Sequence, residues 1–448
     1  MESEILRQLK KDYPTAEAQQ ARLIEMVSTF GSLSDSEMKF TVGDILCLAK
    51  LLYENAGDRR IIRKLQKQIF EIEDLHEDDE IYLRKLDYLK KCLTNFKPAM
   101  FKSIQLYFSG IYGVDLDLIT CLPKVMGQQV GAKVEIKRSL EDRNPVLFYA
   151  KAHQEFCSKS HPQFIAITSD GTGTVDFKEL FIYRFLQLIG YGPKVHFVID
   201  RDVAQSRIDE GILIATQDLG YTKRPAERDK TFKTFREVKE ELSVTPIDSI
   251  ANKTRQDIIV IDMLSRAFLL EDVMINQGNF GITTAAGFFE PFSSSIKWRI
   301  IDFIPPRLVE ARGDDYSYGR HYPGGISIFY SFKVGNISHT YDDDELRVIN
   351  HILTEEHARE FWLPAIERLS NGDRHHLSVA IAAERAFKDI VSFMEENIKA
   401  LQIKPDRLAR RIADLDRYRI HAIQNFAELE RGIREYASMQ SNSTLSPE

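Results

Sequence analysis

Several stretches of this chain set polar side chains where phosphate chemistry can use them. Met126–Gly127–Gln128–Gln129–Val130–Gly131–Ala132–Lys133 places two glycines around a short segment that leads into a strand-like run. Backbone N–H groups in such a turn can cradle a triphosphate, although a glycine pair is also an ordinary turn. Val146–Leu147–Phe148–Tyr149–Ala150 is an apolar run ending on Lys151. A strand this apolar belongs in a core, where an ammonium is costly without an anionic partner; the alternative is a lysine that extends its amine back to water. Glu179 falls in the first turn of a helical stretch, Asp176–Ile189, between apolar neighbours, with Asp176 suited to cap the helix and Gly190 to stop it. Asn279 precedes Phe280–Gly281, and Asp302 ends the apolar strand that begins at Lys297. A carboxylate there is either a turn residue or a ligand for a hard cation.

In this order the features resemble the core of divergent, atypical kinases: the HipA-like bacterial kinases and, more remotely, phosphatidylinositol kinases and actin-fragmin kinase. The resemblance runs from about Pro123 to Phe303. It is carried by the strand-end Lys151, a helix of the form E-x-x-x-Y-R-x-x-x-x-x-G from Glu179 to Gly190, the following G-x-x-V, Asn279–Phe280–Gly281 and Asp302–Phe303. It implies ATP and Mg²⁺ as cofactors. Gly127 and Gly131 would then cap the phosphates, Lys151 would hold the α- and β-phosphates, and Glu179 would orient Lys151. Thr216–Leu219, including Gln217 and Leu219, would meet adenine through the backbone. Asn279 and Asp302 would be the metal ligands. The departure is at the catalytic base, whose place by the family's spacing falls on Met274. Methionine accepts no proton, so Asp272, just upstream, is the candidate base, with Glu271 and Asn276 close by. Phosphoryl transfer depends chiefly on positioning and charge neutralisation. A kinase acting on protein or lipid, a pseudokinase that only binds, and a nucleotidyl transferase on the same core are therefore all open, as is a helical interaction protein with no nucleotide site. The strings FKELFIY, GPKVHF, IATQDL and NFG are also similar to a group of nematode proteins, which implies no activity.

The elements around these residues follow from periodicity. Residues 1–100 are expected to be helical, from stripes such as Ile61, Leu65, Ile69 and Ile72. Strand-like runs follow at Val130–Ile136, Val146–Ala150, Phe164–Thr168, Val195–Ile199, Gly211–Thr216 and Lys297–Asp302, with helices at Asp176–Ile189 and Asp257–Leu270. Thr222–Lys253 is rich in Lys, Arg and Glu and is expected to be a surface insertion, with Phe232 and Phe235 on a solvated basic face. Glu355–Tyr436 is helical by its apolar spacing. The expected class is α+β: a two-lobed kinase-like core with an antiparallel β N-lobe and a helical C-lobe. Its parts are a helical region 1–100, an N-lobe 101–221, a C-lobe 222–438 with its insertion and C-terminal helices, and a disordered tail 439–448.

Bulk composition narrows the setting. The 448 residues are 43% hydrophobic and 28% charged, with a formal net charge of -7, so no global basic field points to nucleic acid. No apolar run approaches the about 20 residues of a membrane span, and the charged MESEILRQLKKDYP start has no secretory apolar core. The expectation is a cytoplasmic protein with a protein substrate or regulatory partner, or a lipid substrate; secretion without a cleavable signal fits the same features. The four cysteines form no C-x-x-C pair and are expected to be reduced, buried thiols. Asn371–Gly372–Asp373–Arg374–His375–His376 has the look of a kinase catalytic loop but follows Asp302, the wrong order, so Asp373 is expected to cap the helix after it. His351 and His357 lack the order of a zinc protease, and Tyr341–Glu345 and Arg407–Arg411 are expected to be solvated.

Overall fold

In a computed structural model of the protein, the described residues are 8–9, 11–55, 60–96, 98–124, 131–142, 144–152, 176–199, 212–220, 232–238, 251–270, 273, 278–283, 296–303, 308–310, 316–318, 358–401 and 403–443. The expected strand Phe164–Thr168, His351, His357 and Tyr341–Glu345 lie outside them. The described part is α+β with antiparallel sheets. No helix among the described residues is long and apolar enough to cross a membrane. Two compact units divide the chain: Met1–Cys157 with Phe197–Ala215, and Ser158–His196 with Thr216–Glu448.

The first unit begins with helices that bury their apolar stripes on one another: α1 (Ala16–Thr29), α2 (Asp35–Asn55), α3 (Ile61–Leu75), α4 (Glu80–Asn95) and α5 (Pro98–Tyr112). Local chemistry sets their starts. Thr15 Oγ1 accepts from the Ala18 N–H at 3.1 Å, and Asp79 Oδ1 from the Tyr82 N–H at 2.9 Å, each satisfying a helix donor that would otherwise lack a partner. Gly31 is glycine for space: a Cβ there would lie 2.3 Å from Tyr82 Cζ. Helix α5 lies against a five-stranded sheet whose order is β1-β2-β3-β5-β4, from β1 (Ile119–Pro123), β2 (Gly131–Ile136), β3 (Val146–Ala152), β4 (Val195–Ile199) and β5 (Ile212–Gln217). Phe108 of α5 meets Phe148 of β3 at 4.8 Å between ring centroids. A single core runs from Leu23, Ile45 and Leu65 through Ile104 to Val134, Phe148 and Leu213, so the N-terminal helices and the sheet fold as one body.

The second unit is organised around α6 (Phe177–Leu188) and α7 (Asn252–Ala267). Asp176 Oδ1 accepts from the Lys178 N–H at 2.9 Å and starts α6. Gly190, at φ +79°, ends it in the left-handed conformation that a glycine adopts at least cost. The long α10 (Pro405–Ser443) and α9 (Val379–Asn397) pack beside α6, and α8 (Leu363–Asn371) packs on α7. A three-stranded sheet, β6 (Phe232–Thr234), β7 (Phe280–Thr283) and β8 (Lys297–Ile300), has β7 in the middle, and β9 (Leu308–Glu310) pairs with β10 (Tyr316–Tyr318). Phe232 and Phe235 are not on a solvated face: both are 1% exposed, and Phe235 stacks on Phe280 at 4.9 Å. Part of the expected surface insertion is thus core, because its few apolar residues outweigh the charged ones around them. Helix α10 continues through Ser443, past the point where the tail was expected to begin at 439.

Candidate active site

In the first unit, strand β3 carries Lys151, which is 6% exposed although its side chain ends in an ammonium. Directly across the β2–β3 ladder stands Gly131. A Cβ at Gly131 would sit 2.2 Å from the Ala150 carbonyl oxygen, so close approach of the two strands requires glycine there. The Lys124 N–H donates to the Gly131 carbonyl at 3.0 Å and closes the connection between β1 and β2. The second glycine of the expected phosphate turn therefore faces the expected phosphate lysine. Gly127 lies outside the described residues.

In the second unit, Glu179 sits in the first turn of α6 and is completely buried. One turn on, on the same face of the helix, Tyr183 is 1% exposed and its hydroxyl donates to Asp302 Oδ1 at 2.9 Å. The β7–β8 hairpin brings Asp302 and Asn279 together. Phe280 pairs with Ile300, so Asn279 before β7 and Asp302 after β8 lie at one end of the ladder. The N–H groups of Ile301 and Asp302 both donate to the Asn279 carbonyl, at 2.8 and 3.2 Å. Each residue of Asn279–Phe280–Gly281 has a distinct job. Asn279 is at the site, Phe280 packs against Phe235 and Trp298, and Gly281 lets β7 approach β6, where a Cβ would lie 2.1 Å from the Lys233 carbonyl oxygen.

The strand that presents Asp302 is itself anchored. The Ile300 N–H donates to the Tyr191 carbonyl at 2.7 Å. The Tyr191 hydroxyl donates to Asp257 Oδ1 at 2.8 Å, and Arg368 Nη2 donates to both, at 2.7 and 2.6 Å. Burial and the Asp257 carboxylate push the Tyr191 phenol well above its ordinary value, so it stays protonated and donating. Nothing in the spacing of Tyr191, Asp257 and Arg368 marks them as a cluster; only folding gathers them. Tyr183 is different, because its place one turn after Glu179 is visible in the sequence.

Gln217 and Leu219 lie at and just past the end of β5, both half-buried. The Gln217 N–H is committed to the Lys194 carbonyl at 2.8 Å, so it serves the β4–β5 edge. Asp272 and Met274 lie outside the described residues. Asp373 does not cap α9: Ser378 occupies that position, and Asp373 instead caps its own turn. Its Oδ1 accepts from the His375 and His376 N–H groups, and Oδ2 meets His376 Nδ1 at 3.0 Å. Burial opposes ionisation of this carboxyl, but these contacts outweigh it and hold its pKa at about 2, which makes it a poor proton acceptor. The turn docks at the far end of α6 from Glu179, through Leu377 N–H to the Leu188 carbonyl.

A hard divalent cation fits the donor set. Asn279 and Asp302 are two oxygen-bearing residues at one end of the β7–β8 ladder, and among the described residues no group of three or more His, Cys, Asp or Glu could hold a metal ion. Cys92 and Cys121 are not competing soft ligands: burial pushes both thiols up to about 12. No protein-family model, curated protein or solved structure matches the chain. The functional reading therefore rests on this geometry and on the resemblance carried by the motifs.

Proposed function

We propose that this chain is an atypical kinase, a Mg²⁺-dependent phosphotransferase that moves the γ-phosphate of ATP to a protein or lipid substrate. The observation that carries the reading is the meeting of Asn279 and Asp302 at one end of the β7–β8 hairpin, with Tyr183 of α6 bonded to Asp302. Supporting it are two buried charged side chains, Lys151 and Glu179, a class of residue that is almost never fully buried without a partner or a task. The order of elements agrees as well: β1–β3, then the helix with Glu179, then β4 and β5, then the hairpin.

In this reading Lys151 binds the α- and β-phosphates, and Gly131 lets β2 pack closely against the strand that carries it. Asn279 and Asp302 would hold the cation, which when bound would neutralise phosphate charge. Asp302 is kept in place by Tyr183 and by the Asn279 carbonyl, so little reorganisation is needed when phosphate arrives. Asp272 is the candidate acceptor of the substrate hydroxyl proton. A pseudokinase is the second reading, favoured by methionine at position 274.

The test is label transfer from ATP and Mg²⁺, run in parallel with γ- and α-labelled nucleotide. Wild type should incorporate γ-label only, and Lys151→Ala and Asp302→Ala should each abolish incorporation while keeping the wild-type circular dichroism spectrum. Full activity in both variants would remove the site. α-Label would turn the reading to nucleotidyl transfer, and binding of ATP without incorporation of either label would turn it to the pseudokinase.

A further inference from the structure

We infer that Tyr183 is the positioning residue of the cation site, holding the Asp302 carboxylate in the orientation that binds metal; the inference rests on the phosphotransferase reading above. Asp302 Oδ1 takes two donors, the Tyr183 hydroxyl at 2.9 Å and the Phe303 N–H at 3.1 Å. With the Asp302 N–H tied to the Asn279 carbonyl, both the backbone and the carboxylate plane of Asp302 are fixed. Such an arrangement orients a ligand before metal arrives, and removing an outer partner of this kind typically costs about 10- to 100-fold in metal affinity.

The phenol has little freedom to swing away. Its ring is 1% exposed and lies 4.5 Å from the Phe303 ring, itself 1% exposed. Helix α6 is held in turn: Arg184, the next residue, donates to Asp389 of α9 at 2.7 Å, and Phe181 and Phe185 are packed against Tyr418 and Phe268. Tyr183 and Glu179 project from one face of α6, so the helix that presents the buried glutamate also sets the metal carboxylate. A tyrosine present only to fill the core would need no hydroxyl; phenylalanine fills nearly the same volume. The hydroxyl at this position, ending on a half-buried aspartate, is the feature that space-filling leaves unexplained.

The test is a titration of Mn²⁺ followed by electron paramagnetic resonance, with a non-hydrolysable ATP analogue equimolar to the full-length protein. Affinity for the same analogue in EDTA and the thermal midpoint are measured alongside. Tyr183→Phe should weaken Mn²⁺ about tenfold and leave metal-free analogue binding unchanged. In an Asp302→Ala background it should add nothing to the loss of Mn²⁺. Wild-type Mn²⁺ affinity in Tyr183→Phe, with Asp302→Ala defective, would overturn the inference and leave the phosphotransferase reading standing. A wild-type protein that binds no Mn²⁺ with the analogue would overturn both. Equal losses of metal-bound and metal-free affinity would assign Tyr183 a packing role only. Should Tyr183→Phe fail to fold, fluorotyrosine incorporated at position 183, which keeps the ring and changes the hydroxyl as a donor, carries the comparison: Mn²⁺ affinity should shift while metal-free analogue binding does not.

Discussion

At the residue scale, the side chains that matter here are defined by burial as much as by type. Lys151 and Glu179 are charged and buried, Tyr183 is buried with its hydroxyl at the edge of the site, and Asp302 is half-buried. His196 on β4 shows the same physics outside the site. Burial first, then the positive charges of Lys194 and Arg184, depress its pKa from 6.5 to about 4. Between those two values the unfolded chain binds a proton that the folded chain refuses, so stability rises with pH through this window and is lost on acidification. His196→Gln should flatten the stability profile between pH 6.5 and 4, read by urea denaturation at several pH values. An unchanged slope would show that another group controls the acid limb.

At the element scale, α6 is the member on which the site depends. Its inner face carries Glu179 and Tyr183, while Phe181 and Phe185 anchor it to α10 and to the end of α7. Tyr418 of α10 also donates to the Phe268 carbonyl at 2.6 Å, and Asn425 Nδ2 to the Ala267 carbonyl at 3.1 Å, tying the long C-terminal helix to the end of α7. The C-terminal helices therefore act as the scaffold for α6. Phe181→Ala, at a fully buried position, should cost about 3–5 kcal/mol of stability, measured by chemical denaturation of the second unit. A loss below about 1 kcal/mol would mean that α6 is held mainly by Arg184–Asp389 and the turn at Gly190. The boundaries of α6 and β4 were legible in the sequence because a capping Asp176, a stop at Gly190 and a short β-branched run are local signals. Helix α7 spans Asn252–Ala267, starting and ending several residues before the expected Asp257–Leu270. It is buried nearly all round, Arg255 and Asp257 included, so it lacks the amphipathic edge that marks a start.

At the scale of the whole molecule, the proposed nucleotide site predicts a link between ligand and global stability. ATP with Mg²⁺ at one hundred times its dissociation constant should stabilise the folded protein by roughly 2.7 kcal/mol, seen as an upward shift of the thermal midpoint. The metal-dependent part of the shift should vanish in Asp302→Ala. Absence of any shift in the wild type would favour a helical interaction protein without a nucleotide site. Because the chain forms two units, unfolding should be followed with a probe in each: both tryptophans, Trp298 and Trp362, are buried in the second unit, and a tryptophan introduced in place of Tyr82 would report on the first.

The sequence by itself determined the helical N-terminal region, the α+β class, the apolar strand carrying Lys151 and the capped helix of Glu179. All of these are written in local periodicity, caps and short motifs. Only the tertiary structure decided that Asn279 and Asp302 share one end of a hairpin, that Tyr183 holds Asp302, and that Tyr191, Asp257 and Arg368 brace the strand behind it. It also decided that Phe232 and Phe235 are core, and that Asp373 is spent on its own turn. These outcomes depend on residues far apart in the chain meeting across strands and helices. A contact of that kind leaves no periodic trace, because the partner that gives each residue its role lies elsewhere in the sequence.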